Sequence, residues 1–289
     1  TDHRQYAKQM EGLGFNHASV WGLSSLQAFD QFGLQYWMEV REGGCFTANG
    51  ASTAIKSIFK QVPRFSRRIL RADSGYCNTD VFNACHEMRA DFVIKMRENM
   101  LLPLIGQITS WKPNRHFLTY DGRKVETGTA IYRTRRGTKG LRILIVRAEK
   151  QQPPLFEDRF DYFGFATTLS HGEMRDEDLV EFYRLRGAAE LHIRELKNGF
   201  DIHHFPCKKL TANKVYGITA AFAYNLMRAA SHLLKDGTRR LSKMLRFRMV
   251  NVAVQVVKTG RRVIFRFNQH NHQEVQRWIT EAHLQFGSG

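Results

Sequence analysis

Acidic residues are scarce beside basic ones in this sequence of 289 residues: 27 Asp and Glu face 44 Lys and Arg, a formal charge of +17 at pH 7. The resulting excess of positive potential suits a polyanion, with nucleic acid the first candidate partner. Charge alone is weak evidence, because ribosomal and membrane-surface proteins share it. Cysteine is sparse as well. Cys45, Cys77, Cys85 and Cys207 are scattered with no Cys-x-x-Cys pair, which argues against a zinc ribbon or a disulfide framework and fits reduced thiols in a cytoplasm. No run of about 18 apolar residues occurs, and the N-terminus lacks the charged-then-apolar plan of a signal peptide, so a soluble protein with no membrane segment is expected. Internal repeats and low-complexity segments are missing too. So is an initiator Met: the chain opens Thr1-Asp2-His3 and closes Gly287-Ser288-Gly289, which is the look of a fragment.

What is present is enough apolar material, 43% of residues, to bury a core in one large domain or one domain with a sizeable insertion. β-Rich runs at 22–29 and 34–40, separated by Asp-Gln-Phe-Gly, predict a hairpin. Ala54, Ile55, Ile58 and Phe59 have helical spacing within 49–61, and Pro63 closes that helix. A strand over 68–73 ending in Ser74-Gly75, a helix over 80–88 capped by Thr79, and a strand over 91–96 complete the order ββαβαβ. From 98 to 170 the chain turns β-rich, with strands near 129–133, 141–147 and 162–169 between Gly and Pro breaks, and an insertion is expected there. A long helix over 176–198 follows, opened by Asp176-Glu177-Asp178 at the positive end of its dipole and stopped by Gly199. A second helix over 211–234 is apolar on most sides and so at least partly buried, and the basic tail from 239 carries strand-like runs at 251–257 and 262–267. The expected divisions are 1–97, 98–170, 171–235 and a basic C-terminal region at 236–289.

On a continuous 176–198 helix turning 100° per residue, Tyr183, Arg186, Glu190 and Lys197 fall at about 0°, −60°, −20° and −40°. Phe182, Leu185, Leu191, Ile193 and Leu196 occupy the rest of the circumference, so a packed helix with its polar stripe lining a cleft is one reading. The other is a solvated stripe in which Arg186 and Glu190 make an ordinary i, i+4 pair worth a few tenths of a kcal/mol. Asp73 has two readings as well: a carboxylate at the end of an apolar strand, or a turn residue in Asp-Ser-Gly.

The spacing Tyr183-x2-Arg186-x3-Glu190-x6-Lys197 resembles the signature of insertion-sequence transposases of the DDE type, and the match is complete. Arg71-Ala-Asp73-Ser-Gly-Tyr76 resembles the segment that carries the family's second carboxylate, and the likeness covers roughly residues 1–235. The resemblance implies an α/β fold, a ribonuclease-H-like mixed sheet flanked by helices with a β-rich insertion before the helix of the catalytic Glu. It implies Asp73 and Glu190 as catalytic, metal-binding carboxylates for two Mg²⁺ ions, with Mn²⁺ as substitute. Hard cations want oxygen ligands, and a pair of them can stabilise the attacking and leaving oxygens of a phosphodiester. Tyr183, Arg186 and Lys197 would hold DNA phosphates. The implied activity is cleavage at the ends of a mobile element and strand transfer into target DNA, by a homodimer on paired double-stranded ends in a bacterial cytoplasm. The family's first carboxylate ends a strand that this sequence does not show. It is expected just ahead of Thr1 in a truncated chain, with Asp2 as the alternative. A junction resolvase of the same fold and a catalytically dead, DNA-occupying remnant are the rival functions.

Other residues carry weaker signals. His203-His204 with Cys207 gives little support for zinc, since adjacent histidines should point apart and no second Cys lies at ligand spacing. Tyr36-Trp37 and Phe265 to Phe267 suit packing better than base stacking. Arg133, Arg135, Arg136, Lys139 and Arg142 form either a DNA-backbone contact on a hairpin or a merely solvated loop.

Overall fold

The computed structural model describes residues 2–4, 9–15, 19–63, 65–119, 121–133, 140–152, 158–233, 254–260 and 262–267, with 273, 276, 277 and 280. Two compact units emerge, one of Thr1–Cys45 with Ala189–Gly289 and one of Phe46–Ala188.

The first unit opens with an antiparallel sheet. Strands β1 (Asp2–Arg4), β2 (Gly14–Phe15) and β4 (Gln35–Glu42) all pair with β3 (Trp21–Phe29). The expected hairpin is β3–β4, and its turn is held by Asp30, whose Oδ1 accepts from the N–H groups of Phe32 and Leu34 at 2.8 Å each.

The second unit runs α1 (Ala51–Gln61), β5 (Ile69–Ala72), α2 (Thr79–Glu87), β6 (Asp91–Lys95), α3 (Glu98–Ile105), β7 (Lys112–Leu118), β8 (Lys124–Tyr132), β9 (Leu141–Glu149), β10 (Phe160–Thr167) and α4 (Asp176–Arg184). Its sheet has six strands in the order β5-β6-β10-β9-β8-β7; β5 and β6 are parallel and every other pair is antiparallel. Strands from the β-rich stretch thus continue the sheet of β5 and β6, because β10 pairs directly with β6. Side chains alternate across this sheet with the period of two that strands impose. Phe92, Ile94, Ile143, Ile145 and Ala166 face the core shared with α1, α2 and α3. Val93, Leu144, Val146 and Phe165 face the core shared with α4. A mixed sheet flanked by helices is the α/β class expected from the sequence, consistent with a ribonuclease-H-like fold.

Two local expectations change. The cap of α2 is Asn78, whose Oδ1 accepts from the N–H of Val81 at 3.0 Å, and Thr79 is the first helical residue. The β-rich stretch also opens with α3, a helix disguised by its internal Pro103 and fixed by the buried Leu101 and Leu104.

The chain then returns to the first unit through α5 (Gly187–Gly199), α6 (Leu210–Leu233) and the hairpin of β11 (Val254–Thr259) and β12 (Arg262–Phe267). Helix α6 lies against β4 so closely that a Cβ on Gly217 would come within 2.7 Å of the Val40 side chain. Leu196, Ile202, Ala220 and the fully buried Tyr224 close a core with Phe29 and Met38. The outer face of α6 leaves Val215, Ile218, Phe222 and Leu226 exposed.

Candidate active site

Asp73 follows directly on β5, after the buried Ala72, and is exposed. It caps a single 3₁₀ turn, Ser74–Tyr76, with one carboxylate oxygen: Oδ1 accepts from Ser74 Oγ at 3.1 Å and from the Gly75 N–H at 3.4 Å. The turn orients the carboxylate and accounts for the Asp-Ser-Gly sequence. Two residues earlier, Arg71 donates from Nη1 to the Phe182 carbonyl at 3.0 Å and lays its guanidinium 4.7 Å from the centre of the Phe182 ring. Burial lowers the Arg71 pKa from its ordinary value. The strand that ends in Asp73 is thereby tied to α4 one residue before Tyr183, a link the sequence motif contained without revealing.

Helix α4 is fixed at its other end by Arg142, which donates to the carbonyls of Leu169 at 3.1 Å and Met174 at 2.9 Å and pairs with Asp176 in the first turn. Arg142 is therefore a structural residue, with only 10% of its side chain accessible, and leaves the basic cluster proposed for DNA contact. Of that cluster Arg133 is exposed, while Arg135, Arg136 and Lys139 lie outside the described residues. Tyr183 is half-buried with its ring 4.5 Å from that of Phe165, and the Arg186 guanidinium lies 5.8 Å from the centre of the Tyr183 ring.

The single helix expected over 176–198 is broken. Arg186 N–H bonds to the Tyr183 carbonyl at 2.8 Å and Ala188 N–H to the Leu185 carbonyl at 3.2 Å, the i→i−3 pattern of a tightened turn. Gly187, the poorest helix former of the stretch apart from proline, sits at the restart. The stripe computed for one continuous helix therefore does not hold across the break. Tyr183 belongs to α4, Arg186 to the turn, and Glu190 and Lys197 to α5. Seven residues apart on that helix, Glu190 and Lys197 still share a face, about 20° from each other. Glu190 is exposed in the first turn, where the helix dipole favours a carboxylate, and Lys197 is half-buried in the last. Asp73 belongs to one compact unit and Glu190 to the other.

The placement of α5 within its unit depends on residues that the sequence did not single out. His192, two positions after Glu190, stacks 5.4 Å from Phe29, and its Nδ1 lies 2.8 Å from the Tyr224 hydroxyl, itself 3.0 Å from the Gly33 carbonyl. Gly33 has φ 83°, and a Cβ there would come within 2.4 Å of the His192 ring. Burial raises the Tyr224 pKa above the ordinary phenol value, so the hydroxyl stays protonated and able to donate. Asn225 brackets Gln35, accepting from its N–H at 2.7 Å and donating to its carbonyl at 2.8 Å, while Arg228 donates to the Phe32 carbonyl at 2.8 Å. The available signal was a run of hydrogen-bonding residues, Tyr224, Asn225 and Arg228, inside an otherwise apolar helix.

Three further expectations are corrected or completed. His203 and His204 do not point apart: their ring centres are 3.9 Å apart, because the chain here is a turn behind Asp201 at φ 56° and not an extended strand. Of the core or sheet packing expected for Tyr36 and Phe265, the core half does not hold: both are exposed, on the paired strands β4 and β12. Among the described residues no helix is long and apolar enough to cross a membrane.

Asp73 and Glu190 are each exposed, and a carboxylate is the kind of hard oxygen donor that Mg²⁺ or Mn²⁺ takes. A family model described as Transposase DDE domain group 1 matches residues 1–285. No curated protein matches the chain.

Proposed function

Because the chain belongs to the family of transposase DDE domains, group 1, we propose that it is a DNA transposase that cleaves the ends of a mobile element and joins them to target DNA. The whole-length family match carries this reading, and the Tyr-Arg-Glu-Lys spacing at Tyr183, Arg186, Glu190 and Lys197 supports it. Asp73 and Glu190 are assigned as the metal-holding carboxylates. Two Mg²⁺ ions, or Mn²⁺ in their place, would supply the positive charge that stabilises the attacking and leaving oxygens of the phosphodiester.

The chain's own groups do the positioning. Arg186 presents a forked guanidinium and Lys197 a point charge to the phosphates of the bound end, and the Tyr183 hydroxyl adds a further donor. Such contacts fix the register of the DNA and carry no sequence information. Arg71 and Arg142 hold the strand and helix from which Asp73 and Tyr183 project. Paired ends call for two active sites and hence a homodimer on double-stranded DNA. Asp2 is the candidate within this chain for a third carboxylate.

The test is nicking and joining of a labelled duplex carrying the DNA ends that flank the gene, in Mg²⁺ and in Mn²⁺. It uses the chain as it stands and the product of its whole open reading frame. Metal-dependent nicking that Asp73→Asn and Glu190→Gln each abolish, with DNA binding kept, is expected from at least one form. Binding without nicking by both forms, in either metal, overturns the catalytic assignment.

A further inference from the structure

We propose that Asp201, His203 and His204 form a second metal site, built for a transition ion of the Zn²⁺ class and separate from the carboxylates assigned to Mg²⁺. One ligand atom from each residue lies within 4.8 Å of those of the other two. The arrangement joins the end of α5 to the loop before α6.

The hydrogen bonds around the cluster give the imidazoles the orientation that metal ligands need. A backbone carbonyl can only accept, so the 2.7 Å contact between His203 Nδ1 and the Lys197 carbonyl makes Nδ1 the protonated nitrogen. The lone pair of the neutral ring is then on Nε2. His204 Nδ1 lies 3.2 Å from Asp201 Oδ1, so these two donor atoms flank the place an ion would take. His203 Nδ1 is 3.5 Å from the same oxygen. For His203, one ring nitrogen pinned to a carbonyl with the other left for the ion is the usual outer-shell arrangement of metal-bound histidine.

The donor set selects the ion. Two imidazoles with one carboxylate suit Zn²⁺, Ni²⁺ or Cu²⁺, whereas Mg²⁺ prefers oxygen and a near-octahedral shell. Bonds of about 2.0–2.1 Å in a tetrahedral site place ligands roughly 3.4 Å from one another. Asp201 Oδ1 and His204 Nδ1, at 3.2 Å, already stand near that spacing, and water would complete the shell. Asp201 holds a left-handed conformation at φ 56°, which turns both rings to one side. The site's role is structural: an ion there clamps the C-terminal end of α5, the helix that bears Glu190 and Lys197, through His203 on the Lys197 carbonyl.

The alternative is that Asp201 merely pairs with protonated imidazoles. Calorimetric titration of the full chain with zinc chloride separates the two. The wild type is expected to bind one more equivalent of Zn²⁺ than His204→Gln or His203→Gln, or to bind it at least about tenfold more tightly. A rise in thermal midpoint on adding zinc should appear in the wild type only, and magnesium chloride should produce neither effect. His204→Gln leaves the bond to Lys197 in place, so it carries the test should His203→Gln fail to fold. Equal stoichiometry, affinity and thermal response in wild type and His204→Gln would overturn the site. None of these readings depends on DNA cleavage, so the result stands apart from the transposase assignment.

Discussion

Arg71 and Arg142 each place a guanidinium where its fork can meet backbone carbonyls, and neither role could be read from the residue's surroundings in sequence. Arg71 finds its acceptor on Phe182 and Arg142 its acid on Asp176, partners far along the chain. Replacing Arg142 by Met should strand two carbonyls and leave Asp176 with His171 as its remaining ion-pair neighbour among the described residues. A loss of about 1.5–3 kcal/mol is expected in urea unfolding, the range for hydrogen bonds to charged groups; an unchanged midpoint would mean that α4 is held some other way. The thiols divide in the same local manner. Burial pushes Cys77 up to about 11, against a smaller pull from Arg97, and burial with nearby Asp91 pushes Cys85 up to about 12. Since the thiolate is the reactive form, a maleimide at pH 7 should label half-buried Cys45 and Cys207 first and reach Cys77 and Cys85 only on unfolding. A raised pKa also means that the folded unit favours the protonated thiol. Stability is therefore retained below the ordinary thiol pKa and falls as pH rises from there towards 11 and 12. Asp73 and Glu190, by contrast, were singled out in the sequence by a fixed motif spacing that needs no reference to any partner, and their catalytic role is a proposal.

At the scale of elements, the hairpin β3–β4 and the helices α1, α2 and α6 were legible because alternation, helical spacing and turn residues are local signals. The break between α4 and α5 was not, since Leu185-Arg186-Gly187 contains no proline and the apolar period runs on through it. The device that seats α5 is also invisible locally. His192 occupies space that Gly33 leaves by having no side chain, and Tyr224 reaches both from α6. Gly33→Ala combines a left-handed backbone, about 1–2 kcal/mol for a residue with a Cβ, with a clash against the His192 ring. It should destabilise the chain by more than that figure in thermal unfolding. Tyr224→Phe keeps the ring packing and loses the hydroxyl, so a milder cost of about 0.5–1.5 kcal/mol is expected. The opposite ranking would remove Gly33 from the account.

For the whole molecule, the composition suits a polyanion partner, and membership of the transposase DDE family implies DNA. The sheet order was beyond the sequence, because the pairing of β10 with β6 joins strands that α3 and three further strands separate. With a formal charge of +17, DNA affinity should fall steeply with salt, log K declining by about 0.9 per phosphate neutralised for each unit of log salt. Arg186→Ala and Lys197→Ala should each weaken binding to any sequence and reduce that slope by about one; an unchanged slope would remove them from the phosphate contacts.

The catalytic proposal rests on Asp73 and Glu190 serving metal-dependent chemistry together, and radical footprinting can ask this of the protein itself. Ferrous iron replaces Mg²⁺, and with ascorbate and peroxide it cuts the backbone beside the bound ion. Cuts flanking both Asp73 and Glu190, suppressed by excess Mg²⁺ and lost in Glu190→Gln, are the expected result. Cuts confined to 201–204, or none near the two carboxylates that Mg²⁺ suppresses, would contradict it.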